Sequence, residues 1–213
     1  MTALPSATLA AFDLDHTLTR RDCVLPFMVR VAGRRLVLLA AARNALLLIL
    51  VALGRGDRDR AKSALVRSVF SGRDSAEVNR LGELFAQETK DRWLRADVLD
   101  RLRWHQQQGH STALVSASLQ SYVEPLARLL GIDRALCTAL EVGTDGLFAG
   151  SLRGPNCRGA EKVHRLEQAF VPRPAVVWAY GDSAGDREML AWSDHPHLIR
   201  PKHSLPAEPN EAT

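Results

Sequence analysis

The chain has 213 residues, of which 46% are hydrophobic and 24% are charged, as in globular proteins with one domain of common size and room for a smaller insertion. Its net charge of +4 favours anionic partners, but the surplus is small and forms no basic stripe interleaved with aromatic residues, which argues against nucleic-acid binding. Three separated cysteines without a C-x-x-C pair indicate neither a disulfide framework nor a thiolate zinc site.

The two ends of the chain carry little pattern. Residues 1–7 lack the basic flank and apolar stretch of a secretory signal, so together with the cysteine usage we expect a cytoplasmic protein. Residues 201–213 are polar and contain proline, and we expect a disordered tail there.

The first predicted element is a buried strand at Thr8–Phe12, and two carboxylates, Asp13 and Asp15, follow it directly. In an open α/β sheet, ligands bind at the carboxyl edge of the strands. We therefore expect this acidic loop to be part of a functional site.

Residues 20–95 contain helical patterns separated by glycine-containing turns, and no strand-like alternation. Asp74 followed by Glu77 resembles a helix N-cap with an acidic residue three positions on. We interpret 20–95 as an all-helical cap domain, and residues 1–19 with 96–200 as the core domain.

The segment 36–53 is almost continuously apolar. A spanning helix is disfavoured because a central charge such as Arg43 costs about 2.5–3.5 kcal/mol on insertion scales. The first interpretation is a buried helix pair within the cap. The alternative is a helix lying in a membrane interface, because basic residues bracket the segment and attract anionic head groups. These residues are Arg30, Arg34, Arg35, Arg55, Arg58, Arg60 and Lys62.

The remaining pattern alternates strands with helices. Predicted strands lie at 111–115 and 175–180, a β-hairpin at 138–152 around Asp145-Gly146, and helices at 96–108, 119–130, 159–170 and 186–191. Strands separated by helices predict an α/β fold, a Rossmann-like doubly wound parallel sheet with the all-helical cap inserted after the first strand.

Four motifs carry the chemistry, in order along the chain: Asp13-Leu14-Asp15-His16-Thr17, Val115-Ser116-Ala117-Ser118, Lys162, and Gly181-Asp182 with Asp186. Together they resemble the haloacid-dehalogenase superfamily of phosphatases. With the segment 154–159 and Tyr180-Gly181-Asp182-Ser183, the resemblance extends to its phosphoserine-phosphatase-like subfamily IB, in the branch that includes phosphatidylglycerophosphatase C.

The nucleophile follows from elementary chemistry. Asp13 is ionised at neutral pH and can attack phosphorus to form an acyl phosphate. A carboxylate about 4 Å from a phosphate meets about 4 kcal/mol of repulsion per pair of unit charges at an effective dielectric of 20, so cations are required. Mg²⁺ prefers oxygen ligands. We expect the side chains of Asp13 and Asp182 to bind it and, as the resemblance implies, the backbone carbonyl of Asp15 as well.

The phosphoryl group needs further donors. Lys162 supplies a second positive charge, and we expect the Ser116 hydroxyl and the backbone N–H groups of Ala117 and Ser118 to hold the phosphoryl oxygens. Asp186 is expected to orient Lys162 or a metal-bound water.

Asp15 decides the type of reaction, because a leaving alkoxide needs a proton and the acyl phosphate then needs a deprotonated water. One carboxyl group with a raised pKa serves both steps. Thr17 is expected to steady the loop.

The sequence therefore predicts a Mg²⁺-dependent phosphomonoester hydrolase that acts through an aspartyl phosphate on a small or lipid-linked phosphate ester. Two alternatives stay open at this point. The first is phosphotransfer to an alcohol acceptor. The second is a membrane-associated protein that binds anionic lipid, with weak catalysis and peripheral contact through the cap. Nothing in the pattern indicates an oligomeric state.

Overall fold

The computed structural model describes residues 7–201 and 203–206, and a parallel β-sheet forms its centre. The strands in chain order are β1 (Thr8–Phe12), β2 (Ser111–Leu119), β3 (Arg134–Thr138), β4 (Leu140–Val142), β5 (Phe148–Leu152), β6 (Val176–Gly181) and β7 (His195–Leu198). Five of them form one sheet in the order β3-β2-β1-β6-β7, and every neighbouring pair is parallel. This confirms the predicted α/β fold.

Within the described part of the chain, eight α-helices accompany the strands. They are α1 (Val24–Arg43), α2 (Ala45–Ala52), α3 (Arg58–Phe70), α4 (Ser75–Arg92), α5 (Ala96–Gln107), α6 (Gln120–Leu130), α7 (Ala160–Ala169) and α8 (Arg187–Trp192). The antiparallel pair β4 and β5 is the hairpin predicted around Asp145-Gly146. Asp145 closes its turn by accepting a hydrogen bond of 3.0 Å from the Leu147 N–H.

Both faces of the central sheet are buried. In β1, Leu9 and Ala11 belong to one hydrophobic cluster, and Ala10 and Phe12 belong to a second cluster on the other face. Successive side chains of a strand point to opposite faces, so a strand covered on both sides reads as a continuous apolar run. Thr8–Phe12 is almost continuously apolar because both faces of β1 are buried.

The segment between β1 and β2 is helical, as predicted. Asp74 caps α4, its carboxylate accepting a hydrogen bond of 2.8 Å from the Glu77 N–H. Gly33 interrupts α1 with a φ of 76°, a left-handed conformation that glycine adopts without steric cost. Helices α1 to α4 occupy this insertion.

The insertion packs tightly on the core through α4 and α6. Pro125 has no N–H, so the Ser121 carbonyl in α6 has no donor four residues on. Gly82 of α4 lies against that carbonyl, where a Cβ atom would approach the Ser121 oxygen to 1.9 Å. Phe85 of α4 also packs on Tyr122, with ring centroids 5.2 Å apart. One hydrophobic cluster thus runs through both parts, and the domain boundaries at 20–95 stay a prediction.

The apolar segment 36–53 is not the buried pair we expected. Helix α2 has no buried residue, and Leu46 and Ile49 are 71% and 55% exposed. Val37 and Ala40 of α1 are buried, whereas Leu38 is 69% exposed. Because α2 lies beside α1 and α3 at the edge of the molecule, only part of its surface is covered. The buried-pair interpretation is therefore wrong for α2.

No single helix in residues 7–201 and 203–206 is both long and apolar enough to cross a bilayer. Helices α1 and α2 meet that length and composition criterion only as a pair, bent by 75°.

The predicted tail is covered in part. Residues 202 and 207–213 lie outside the described residues, so the expectation of disorder is untested there. Residues 203–206 lie against α5. The Leu205 N–H donates to Asp97 over 3.0 Å, and Arg101 donates to the Pro206 carbonyl over 2.7 Å.

Candidate active site

The predicted site residues meet at the carboxyl edge of the sheet. Asp13 follows β1, and its N–H donates to the Tyr180 carbonyl of β6 over 2.9 Å, so the loops after the two strands are tied together. Ser116 lies near the end of β2, and Asp182 follows β6. Lys162 reaches the same edge from the first turn of α7.

Lys162 is the central buried cation of this edge, with 2% of its side chain exposed. Its Nζ atom donates to Asp13 Oδ1 over 2.5 Å, to Asp186 Oδ1 over 2.6 Å and to the Val115 carbonyl over 2.7 Å. Burial lowers the pKa of Lys162, but the charges of Asp13 and Asp186 outweigh burial and hold that pKa above its ordinary value. The ammonium group therefore stays charged at physiological pH.

Asp13 is poorly solvated. Burial, which outweighs the opposing effect of the Lys162 ammonium, and next the charge of Asp186 together raise its pKa to about 7. One lysine shared between two carboxylates does not balance their charge. A second cation would favour the ionised form of Asp13.

The donor set fits a hard divalent ion. Carboxylate oxygens of Asp13, Asp182 and Asp186 lie within 4.8 Å of one another. Asp186 is occupied elsewhere, since its Oδ2 atom accepts hydrogen bonds from the N–H groups of Asp182 and Ser183 over 3.2 and 3.0 Å. Asp13 and Asp182 are thus the carboxylates best placed to hold Mg²⁺. Asp186 orients Lys162 and the loop after β6.

The loop at the end of β2 is shaped to receive an anion. The register between β2 and β3 shifts between Ser116 and Leu119, which bends the strand there. The Ser118 N–H points back to Ser116 Oγ over 3.1 Å, and α6 starts directly afterwards at Gln120. Helix N-termini and clustered N–H groups attract anions. Ser116, Ala117 and Ser118 therefore form a candidate phosphoryl-binding loop.

Asp15 lies on the wide turn 14–18, beside that loop. Its Oδ1 atom accepts a hydrogen bond of 2.7 Å from the Cys23 N–H, and its Oδ2 atom accepts one from the Ser118 hydroxyl. Burial, and next the charge of Asp22, raise the pKa of Asp15 to about 6. A carboxyl group with this pKa changes protonation state near neutral pH, as an acid and base must.

Thr17 is fully buried on the same turn. Among the described residues, its hydroxyl has no hydrogen-bond partner. Its neighbour His16 has a φ of 61°, so the turn places a non-glycine residue in the left-handed region. Strained residues of this kind cluster at functional sites.

Two contacts were missed in the sequence. The Ser118 side chain binds Asp15, although we assigned only its N–H a role. Lys62, read only as one of the basic residues flanking the apolar segment, reaches the Ala117 carbonyl from α3. Neither follows from local spacing, because both partners are distant in the chain.

Cys157 and His105 lie outside the chemistry. Burial raises the pKa of Cys157 to about 11, so its thiol is neutral. His105 is fully buried and lies 2.9 Å from the Tyr180 hydroxyl and 2.8 Å from His110. Its side chain therefore packs in the interior against Tyr180 and His110.

Comparison with known proteins gives consistent matches. The family model of haloacid dehalogenase-like hydrolases matches residues 10–191. Protein CicA of Caulobacter vibrioides is 37% identical over 186 residues, which are 87% of this chain and 83% of CicA. A probable phosphatase of Mycobacterium tuberculosis is 26% identical over 97% of this chain and 74% of its own length.

Among solved structures, a phospho-aspartyl intermediate analogue of phosphoserine phosphatase has a TM-score of 0.59. The identity is 18%, and the match covers 88% of this chain and 83% of the other. This likeness concerns the fold.

Proposed function

The chain belongs to the haloacid dehalogenase-like hydrolases, and from this premise we propose that it is a Mg²⁺-dependent phosphomonoesterase that works through a phosphorylated Asp13. The observation that carries the proposal is the meeting of Asp13, Asp15, Lys162 and Asp182 at one sheet edge, beside the loop of Ser116. A relative described as a probable phosphatase supports the reaction class.

In the first step, an oxygen of Asp13 attacks phosphorus and the ester P–O bond breaks. The leaving alkoxide takes a proton from Asp15. The Ser116 hydroxyl and the N–H groups of Ala117 and Ser118 hold the phosphoryl oxygens, and Lys162 supplies a positive charge beside them. In the second step, water attacks the acyl phosphate and gives its proton to Asp15, which releases inorganic phosphate and restores Asp13.

Mg²⁺ held by the carboxylates of Asp13 and Asp182 and the carbonyl of Asp15 would neutralise charge on the transferring phosphoryl group. Asp186 fixes Lys162, which supplies a permanent charge at the same position. The Lys162 ammonium group and such an ion would together offset the repulsion between a carboxylate and a phosphate.

The test is a phosphate-release screen with Mg²⁺ over amino-acid, sugar, nucleotide and lipid phosphates, with the wild type and Asp13→Asn. We expect Asp13→Asn to keep its cooperative unfolding transition and lose turnover by at least about a thousandfold, at about 1.4 kcal/mol per tenfold. Acid quenching should trap a phosphorylated protein only when Asp13 is present. Robust turnover by the variant would disprove the mechanism, and products phosphorylated on an added alcohol would indicate phosphotransfer instead.

We also propose that the outer face of α1 and α2 binds an anionic lipid surface. Within the segment 36–53, five large apolar side chains are more than half exposed: Leu38, Leu39, Leu46, Ile49 and Leu53. A face of this kind on a monomer marks an interaction site.

Charge selects the partner. Arg34, Arg35, Arg43 and Arg55 are exposed around this face. Arginines bordering an apolar helix face favour the interface of a membrane with anionic lipid, where each contributes about 1 kcal/mol. This placement fits a lipid-linked phosphate ester as substrate.

The test is flotation of the full chain with phosphatidylcholine vesicles, with and without phosphatidylglycerol. We expect binding only with phosphatidylglycerol, its loss in Leu46→Gln with Ile49→Gln, and a roughly 30-fold weakening in Arg34→Gln with Arg35→Gln. Leu84→Gln, which changes an exposed leucine on α4, is the matched control and should bind normally. Equal flotation of all variants, or a dimer in solution that Leu46→Gln with Ile49→Gln dissociates, would contradict the lipid assignment.

A further inference from the structure

A lysine from the helical insertion reaches into the core beside the phosphoryl-binding loop. Lys62 of α3 donates to the Ala117 carbonyl and to Asn156 Oδ1, and its Nζ atom lies 3.4 Å from Thr138 Oγ1. Asn156 in turn donates to Asp59 of α3 over 2.6 Å. We call Asp59, Lys62, Thr138 and Asn156 the Lys62 cluster.

The contact with Ala117 falls on the peptide that matters for anion binding. The Ala117 carbonyl and the Ser118 N–H belong to one peptide plane, in which the two groups point in opposite directions. With Lys62 bound on the carbonyl side, the N–H points to Ser116 Oγ over 3.1 Å, toward the residue that we propose holds the phosphoryl group. A cation on the carbonyl also polarises the peptide and strengthens its N–H as a donor.

We propose that Lys62 is a positioning residue that orients the Ala117–Ser118 peptide for phosphate, so that the phosphoryl-binding loop is complete only while α3 is docked on the core. This inference rests on the proposed function, since it takes the loop of Ser116 to be the phosphate site. Lys62 itself does not touch the reacting atoms.

The surroundings of Lys62 support an ordered, functional contact. Thr138 Oγ1 donates to Asn156 Oδ1 over 2.8 Å and accepts from the Cys157 N–H over 3.1 Å, so the core side of the cluster is fixed by its own hydrogen bonds. Burial lowers the pKa of Lys62 to about 8, against the charge of Asp59. Placing an ammonium group where burial opposes its charge has a cost that a surface lysine avoids.

The test measures binding of inorganic phosphate to the full chain by calorimetry in the presence of Mg²⁺, which requires no turnover. Lys62→Met keeps the aliphatic stem and removes the donor, and we expect about tenfold weaker phosphate binding. Lys90→Met, at an exposed lysine on α4, removes the same charge from the same insertion and should bind phosphate as the wild type does. A parallel loss in kcat is expected where a substrate is turned over.

If the contact between Lys62 and Ala117 only stabilises the fold, Lys62→Met should lower the unfolding temperature while the phosphate affinity stays within twofold of the wild type. That result would overturn the proposal. If Lys62→Met does not fold, Lys62→Gln replaces it, because glutamine keeps the cluster polar, whereas its side chain is one bond shorter and brings no positive charge to the Ala117 carbonyl. Unchanged phosphate affinity in a folded Lys62→Gln would then overturn the proposal as well. Wild-type protein that binds phosphate but hydrolyses no ester would contradict the proposed function and leave the Lys62 comparison intact.

Discussion

The carboxyl edge of the sheet and the outer face of α1 and α2 depart from the usual distribution of residues in opposite directions. At the sheet edge, Lys162 and Asp186 are charged and almost completely buried. On the outer face, Leu46 and Ile49 are apolar and mostly exposed. Buried charge and exposed apolar surface are both unfavourable for a chain that only has to fold.

The two regions differ in what compensates the buried charge in one and the exposed apolar surface in the other. At the sheet edge the protein supplies the partners itself, since each charge has an opposite charge and further hydrogen bonds. On the outer face, the main neighbours of α2 among the described residues are α1 and α3. The first region is therefore balanced from within, whereas for the second we propose an external partner. Substitutions at the sheet edge should accordingly cost much stability, and substitutions on the outer face should cost little.

Removing the buried ammonium group of Lys162 should have the largest effect on stability and activity. Lys162→Met leaves the carboxylates of Asp13 and Asp186 buried without their ammonium partner, so we expect about 3–5 kcal/mol less free energy of unfolding, together with loss of turnover. Urea unfolding at neutral pH in the presence of a chelator measures the first effect. The double variant Lys162→Met with Asp186→Asn should recover part of that loss, because one buried charge is gone. No recovery would mean that packing, and not charge, is the cause.

Removing the carboxyl group of Asp15, the proposed acid and base, should have the next largest effect. Asp15→Asn is expected to lower turnover about 10²- to 10⁴-fold, with a larger loss for alkyl than for nitrophenyl phosphates, because only the poorer leaving group needs a proton. Since the pKa of Asp15 is raised to about 6, the protonated form is lost as pH rises through that value, and the first step should slow accordingly. Single-turnover rates across that pH range measure this. Equal losses for both leaving groups would argue against Asp15 as the acid.

The motifs of the candidate site could be recognised in the sequence because each lies beside its own strand or helix. Asp13 and Asp182 come directly after β1 and β6, and parallel strands bring their carboxyl ends to one edge. Strands β3 and β7 were not predicted, since β3 begins with exposed Arg134 and the edge strand β7 reads His-Pro-His-Leu. Strand pairing supplied by neighbours overrides such weak local patterns.

Contacts between distant segments were not accessible. Lys62 and Ala117 are 55 residues apart, and Asp15 and Ser118 are 103 apart, so no local period relates them. The exposure of α2 was also missed, because its apolar sequence fits a buried helix equally well. Which side of such a helix is covered depends on the arrangement of α1 and α3.

His105 is a buried titratable residue that lies outside the candidate active site. His105 is buried against Tyr180 and His110, away from the site loops. Burial, and next the charge of His110, lower its pKa from 6.5 to about 3. The unfolded chain therefore binds a proton below 6.5 that the folded chain does not, so stability falls as pH decreases.

Between pH 6.5 and about 4.5, a histidine that stays neutral in the folded chain lowers the free energy of unfolding by about 2–3 kcal/mol. Urea unfolding across this range should show a steeper loss for the wild type than for His105→Phe. His164→Phe, at an exposed histidine on α7, is the control and should keep the wild-type dependence. If both variants behave alike, His105 is not the group responsible.

The smallest change in stability is expected on the outer face. Leu46→Gln with Ile49→Gln should alter the free energy of unfolding by no more than about 0.5 kcal/mol per site, because both side chains are exposed in the folded and unfolded chain. Phe27→Ala, in the buried cluster of the same insertion, should cost about 3–5 kcal/mol by leaving a cavity between Phe85 and Tyr122. Urea unfolding without lipid measures both. A large loss in the glutamine variant would show that these side chains are covered in the free protein, and the outer face would then be an internal contact and no longer a surface for lipid.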